Sequence, residues 1–154
     1  MAAIAANAEL VNNYYSTFSF VRDFTPKPFS PEESIASSAS RACIDCKAVL
    51  CIVVTQDGEG ARLVSKYRPP VPIVVVTGSL HVARHSSARF GQYACLESED
   101  GSLMESNLSF KTGGAVEKGY HFAKQQHLIP KEGGQCVVVA EDATGRIGLS
   151  FMRV

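Results

Sequence analysis

The sequence predicts an α/β fold: a three-layer α/β/α arrangement around a mostly parallel, five-stranded sheet with one antiparallel edge strand. Three observations lead there. Residues 48–54 (AVLCIVV), 72–77 (PIVVVT) and 135–140 (QCVVVA) are unbroken apolar runs rich in β-branched side chains, the pattern of strands buried on both faces. Helical patterns separate these runs, and right-handed βαβ crossovers then make the strands parallel and place helices on both faces of the sheet. Residues 147–154 (IGLSFMRV) follow the last buried run after a short turn, so this strand pairs antiparallel at an edge.

From the N terminus, residues 7–21 (NAELVNNYYSTFSFV) read as a helix running into a looser aromatic stretch. Thr25-Pro26-Lys27-Pro28 interrupts it, because each proline lacks a donor and disfavours helix at the residue before it. Ser30-Pro31-Glu32-Glu33 then starts a helix, with Ser30 as N-cap, Pro31 at the first helical position and Glu33 closing a capping box. That helix extends to about Lys47 and is rich in small residues from Ile35 to Ser40, which permits close approach to a neighbouring element. After strand 48–54, the loop Thr55-Gln56-Asp57-Gly58-Glu59-Gly60 leads to a short helix over 61–67, ended by Pro69-Pro70. Strand 72–77, a helix over 79–90 and a short strand over 92–96 follow. A polar linker spans 97–107. A helix from about Leu108 to His127, weakened by Gly113, Gly114 and Gly119, leads to the closing strands. No internal repeat or low-complexity segment is visible.

Composition narrows the function classes. Lys plus Arg and Asp plus Glu number 15 each, so the cationic excess that displaces counterions from nucleic acid is missing, and an acidic membrane surface is not favoured either. No apolar run approaches the roughly 20 residues that span a bilayer, and the opening residues lack the basic start of a signal peptide. These features point away from nucleic acid and membrane. Five cysteines scattered through apolar contexts suit reduced core residues and a cytosolic address.

Two motifs invite chemistry. Cys43-Ile44-Asp45-Cys46 is a CxxC, but it falls near the C-terminal end of a capped helix, where the helix dipole disfavours thiolate. Zinc would need two further ligands at matching spacing, and no second CxxC accompanies it. The pair reads as buried core cysteines. His81 and His85 are spaced i, i+4 on one helix face, a geometry open to metal. The carboxylate of a metalloprotease HExxH is absent between them, and they read as solvated surface histidines. No Ser/His/Asp set or nucleophile elbow is evident. The Gly58-Glu59-Gly60 turn lies where α/β proteins cradle phosphate, yet it lacks the Lys-Ser/Thr of a P-loop and the third glycine of a dinucleotide fingerprint.

Taken together, several segments resemble the C-terminal domain of pyruvate kinases. Glu33 to Ala39 is similar to the family's small-residue helix, entered through a proline-rich link. The most specific match is Ala61-Arg62-Leu63-Val64-Ser65-Lys66-Tyr67-Arg68-Pro69 followed by Val71-Pro72-Ile73-Val74-Val75-Val76-Thr77, since the family pairs a helix ending in Lys-Tyr-Arg-Pro with a Pro-Ile/Val strand. Val137-Val138-Val139 and the closing Phe151-Met152-Arg153-Val154 keep the family's order, and residues 1–9 resemble the end of its last barrel helix. The resemblance divides the chain into 1–29, the end of a barrel-like helix with a proline-containing linker, and 30–154, the α/β domain.

The resemblance implies a non-catalytic module for tetramer assembly and allosteric regulation. In the family, phosphoryl transfer from phosphoenolpyruvate to ADP takes place in a barrel domain, which holds the magnesium and potassium. No catalytic residue, metal ligand or cofactor is then expected here, and the partners are other pyruvate kinase subunits or the barrel. A free-standing α/β small-molecule sensor or enzyme is the competing reading, because a fold does not fix a function. The family seats the phosphate of a sugar effector in the loop after the first strand, so the implied effector residues are Thr55, Gln56, Asp57, Gly58, Glu59 and Gly60, with Lys111 and Arg146 as further cations. Activated members place hydroxyls in that loop, whereas this sequence has Asp57 and Gly60 at those positions and Glu59 between them. A carboxylate close to a phosphate costs on the order of 4 kcal/mol per contact at an effective dielectric near 20. The sequence therefore predicts weak binding of a sugar bisphosphate, with Asp57 and Glu59 capping the following helix instead.

Overall fold

A computed structural model describes residues 11–96, 114–141 and 147–153. Ten elements alternate along it: α1 (Tyr14–Phe24), α2 (Pro31–Asp45), β1 (Leu50–Val54), α3 (Glu59–Lys66), β2 (Ile73–Thr77), α4 (Leu80–Ser86), β3 (Gln92–Leu96), α5 (Ala115–Gln125), β4 (Gln135–Glu141) and β5 (Ile147–Arg153). The five strands form one sheet in the order β3-β2-β1-β4-β5. β1 lies parallel to both β2 and β4, with Ile52 opposite Val74 on one side and Val138 on the other. β3 extends the parallel sheet, and β5 closes it antiparallel to β4. The predicted fold class holds, including the antiparallel edge.

The unbroken apolar runs are explained by burial on both faces. In β1, Cys51 and Val53 join a core with Ile73, Val75, Val137 and Val139, beneath Ala36, Ala39, Leu63, Val64 and Tyr67 of the α2–α3 side. Leu50 and Ile52 point into a second core with Val74, Val76, Cys136 and Val138, covered by Ala123 of α5. The period-2 alternation of a strand thus distributes one apolar run over two cores. Burying a Val or Ile side chain fully is worth about 1.5–3 kcal/mol, and residues 73–76 of β2 are wholly enclosed.

Small residues set the helix distances. Ala36, Ala39, Ser40 and Cys43 form the buried side of α2, and the Ser40 hydroxyl donates to the Val64 carbonyl of α3 at 3.4 Å. On the other face, Gly119 lets α5 lie directly on the sheet. A Cβ there would come within 2.8 Å of Val76 Cγ2 and 3.2 Å of Ile52 Cγ2.

Element boundaries shift from the sequence reading where capping competes with pattern. The part of the expected first helix at residues 7–10 lies outside the described residues; α1 starts at Tyr14, where the Asn13 side chain accepts from the Ser16 N–H and sets the cap. It runs on to Phe24, so the aromatic stretch is helix, not a loosened tail. α3 starts two residues earlier than expected, at Glu59, and α4 ends at Ser86 instead of Phe90. The expected start of α5 near Leu108 lies outside the described residues. The capping box at α2 is half formed: Ser30 Oγ accepts from the Glu33 N–H at 3.2 Å, but the Glu33 carboxylate turns to a tertiary partner. Its Oε1 accepts from Lys66 Nζ at 2.7 Å and from the Tyr67 hydroxyl.

Candidate functional site

The strand order reverses at β1. From it the chain passes to β2 and β3 on one side, then returns to β4 on the other. In open α/β sheets the crevice beyond the carboxyl ends of the strands at such a switch point is where ligands bind. The segment that occupies it runs from Thr55 through Gly58 into Glu59 and Gly60, the first residues of α3.

Thr55 is buried, and its N–H extends the strand ladder by donating to the Val76 carbonyl at 3.1 Å. Its hydroxyl donates to Asp57 Oδ1 at 3.1 Å and accepts from the Gly58 N–H at 3.1 Å. Asp57 Oδ1 also accepts from the Glu59 N–H at 2.8 Å. The carboxylate thereby sits on the first amide of α3, where the positive end of the helix attracts an anion. Gly58 makes the turn with a left-handed φ of +79°, and a Cβ there would lie 2.8 Å from Val82 Cγ1 of α4, so glycine is required on both counts. Gln56 is exposed, and Gly60 is buried. A Cβ at Gly60 would meet only Val53 Cγ1, at 3.9 Å, which leaves room for a small side chain.

The two carboxylates play different parts. Glu59 does not cap the helix as expected; it pairs with Arg62 one turn on through both oxygens, with Nε to Oε2 at 2.7 Å. The Arg62 guanidinium holds the Glu59 carboxyl below its ordinary range, against a smaller opposing effect of burial. Both side chains are about half exposed, so the pair adds little stability. It does neutralise Glu59. Asp57 alone contributes a carboxylate to the cradle. Arg89 Nη1 donates to the Gly58 carbonyl at 3.2 Å and fastens the turn from the far side of α4. The Glu59–Arg62 pair is legible as an i, i+3 spacing, whereas Arg89, 31 residues from Gly58, gives no local signal. Lys111 and Arg146, the other two expected effector residues, lie outside the described residues.

The remaining motifs resolve as follows. Cys43 is fully buried, but Cys46 is exposed, which corrects the expectation that both are core residues. Cys46 is the C-cap of α2, its N–H bonded to the Ala42 carbonyl, and so stands past the last turn that faces the sheet. Cys51 and Cys136 are buried and Cys95 is partly so. Next to Cys43, and with burial as the second cause, the Cys51 thiol is pushed well above its ordinary value. Burial raises Cys136 to about 11, so both are held as neutral thiols. Among the described residues no group of three or more His, Cys, Asp or Glu is arranged to hold a metal ion. No helix there is long and apolar enough to cross a membrane. A groove of about 600 Å³ lies at the opposite end of the sheet, lined by Tyr14, Tyr15, Ile44, Lys47 and Val71 among others.

Comparison with known proteins places this geometry in context. A family model described as pyruvate kinase, alpha/beta domain, matches residues 33–154. The chain is 37% identical over 150 residues to a pyruvate kinase of Lachancea kluyveri, covering 94% of this chain and 28% of that protein. It is 36% identical over 143 residues to a pyruvate kinase of Dictyostelium discoideum, covering 91% of this chain and 26% of that one. Among solved structures, Cryptosporidium parvum pyruvate kinase in complex with ADP superposes with a TM-score of 0.80 at 27% identity, covering 99% of this chain and 29% of that one. The chain thus spans less than a third of the length of the relatives it matches.

Proposed function

The chain belongs to the pyruvate kinase family, as its α/β domain, and from that premise we propose that it acts as a non-catalytic module for subunit contact and regulation. The chemistry it serves in a full-length enzyme is phosphoryl transfer from phosphoenolpyruvate to ADP, carried out in a barrel domain with magnesium and potassium. Phosphoryl transfer depends on metal clamps and positioned cations, and the described residues hold no such cluster. Residues 1–29 form the link to the barrel and residues 30–154 the module itself.

One observation bears on the effector side of this reading and argues against tight control by a sugar bisphosphate. Asp57 Oδ1 accepts from the Glu59 N–H, the first amide of α3, and this carboxylate at the helix start opposes a phosphate there, which supports weak binding of a sugar bisphosphate. The contact part draws on apolar surface that this domain leaves uncovered. Phe20 and Phe24 stack on the outside of α1 with centroids 4.5 Å apart, both more than 60% exposed, and Phe151 is exposed on the free edge strand β5. Isolated exposed apolar residues are ordinary, but a stacked aromatic pair marks a place for a partner. Purified chain incubated with phosphoenolpyruvate, ADP, Mg²⁺ and K⁺ is expected to form no pyruvate, and sedimentation velocity is expected to detect self-association that Phe20→Ser weakens. Measurable turnover would overturn the non-catalytic role. A strictly monomeric chain at every concentration would remove the subunit-contact role.

A further inference from the structure

His81 and His85 stand one turn apart on α4, both exposed, with ring centroids 4.3 Å apart and ring planes inclined by 44°. Residues at i and i+4 share one face of a helix, so a single ion can reach both rings. An ion bonded to one nitrogen of each ring at about 2.1 Å, with a near-tetrahedral angle between the bonds, sets the two centroids about 5 Å apart. The observed centroid separation is within roughly an ångström of that value.

We propose that His81 and His85 form a two-histidine site for a borderline transition-metal dication, Zn²⁺ foremost, with water completing the shell. Imidazole nitrogen suits Zn²⁺, Cu²⁺ and Ni²⁺, while Mg²⁺ and Ca²⁺ demand oxygen ligands. Among the described residues no third His, Cys, Asp or Glu joins the pair, so the site is open, unlike a closed structural centre with four protein ligands. Arg84, exposed in the same turn, opposes any dication, which favours ions that bind nitrogen strongly over ions held by charge alone. Chelation joins the first and second turns of a helix only seven residues long, a length at which a helix has little stability of its own. Val82 of that helix packs on Gly58, so a metal-stiffened α4 bears on the loop at the switch point.

Calorimetric titration of the chain with ZnCl₂, alongside the variants His81→Gln, His85→Gln, His127→Gln and Cys46→Ser, tests the site. One ion per chain is expected, with affinity reduced at least about tenfold in His81→Gln and in His85→Gln through loss of chelation. His127→Gln and Cys46→Ser should bind as the parent does, and MgCl₂ should give no saturable heat. All four positions have exposed or partly exposed side chains, and circular dichroism verifies that each variant is folded. Zinc uptake unchanged in both His81→Gln and His85→Gln, uptake lost in Cys46→Ser, or no saturable uptake by the parent chain would each overturn the proposal.

Discussion

Replacing Tyr67 by Phe should leave the protein less stable at neutral pH yet remove a loss that the parent suffers in alkali. The Tyr67 side chain has no exposed surface, and its hydroxyl donates to Glu33 Oε1, which also accepts from Lys66 at 2.7 Å. A hydrogen bond to a charged group contributes about 1.5–3 kcal/mol, and Tyr67→Phe should cost that much near pH 8. Burial, and then the facing Glu33 carboxylate, push the Tyr67 phenol from 10.0 up to about 12. A phenol with a raised folded value gives its full stabilisation below the unfolded value, and loses it as pH rises from about 10 through 12. With one unit worth 1.36 kcal/mol, the parent loses about 1.4 kcal/mol from this group between pH 8 and pH 11. Tyr67→Phe has no phenol there and keeps the Lys66–Glu33 pair, so subtraction isolates the effect. Urea unfolding at the two pH values should therefore show the gap between parent and variant narrowing by about 1.4 kcal/mol at pH 11. Parallel curves, with the gap unchanged, would refute the claim that the phenol is held neutral by burial against Glu33.

Three further outcomes are expected. Gly119→Ala gains up to about 1 kcal/mol in helix propensity but drives a methyl to 2.8 Å from Val76 Cγ2; overpacking of that kind costs about 1–3 kcal/mol, so thermal melting should fall, and an unchanged or higher midpoint would show that α5 moves freely on the sheet. Thiol titration of native protein should find Cys46 fast and Cys43, Cys51 and Cys136 slow until unfolding, as their burial dictates; fast labelling of all four would contradict the packing around α2 and β1. The combined change Asp57→Ser, Glu59→Arg and Gly60→Ser should raise affinity for fructose bisphosphate over a parent chain that gives little calorimetric heat. Gly60 has space for the new side chain, so micromolar binding by the parent would mean that the Asp57 carboxylate does not block the cradle.

The strands were legible because burial on both faces writes a plain signal: residues 73–76 are all β-branched and all enclosed. The topology followed from the crossovers, and the antiparallel edge from the short connection before β5. Helix ends were less legible. The pattern of residues 7–21 does not reveal that Asn13 takes the cap, since several polar residues there compete for it. In the loop, the sequence offered two carboxylates and no means to tell them apart. Only the fold shows that Asp57 accepts from the first helix amide while Glu59 pairs with Arg62. Cys43 and Cys46 look equivalent as a CxxC, and they separate because α2 ends between them. The resemblance rested on Lys66-Tyr67-Arg68-Pro69, and no local rule assigns that motif a partner 33 residues earlier in the chain.

That partner changes how the two segments are inherited. Glu33 joins Lys66 to the Tyr67 hydroxyl, which Thr25 and Ser37 also reach, so exchanging Glu33 for an apolar residue takes the carboxylate from an ammonium and a phenol at once, while exchanging Lys66 leaves an enclosed carboxylate short of its cation. Losing one member of such a set costs more than losing the set together. Lineages that diverge at the opening turn of α2 should therefore diverge at the Lys-Tyr pair in the same step, and a chimaera that joins the first helices of one relative to the sheet of another should fail or succeed on these three positions.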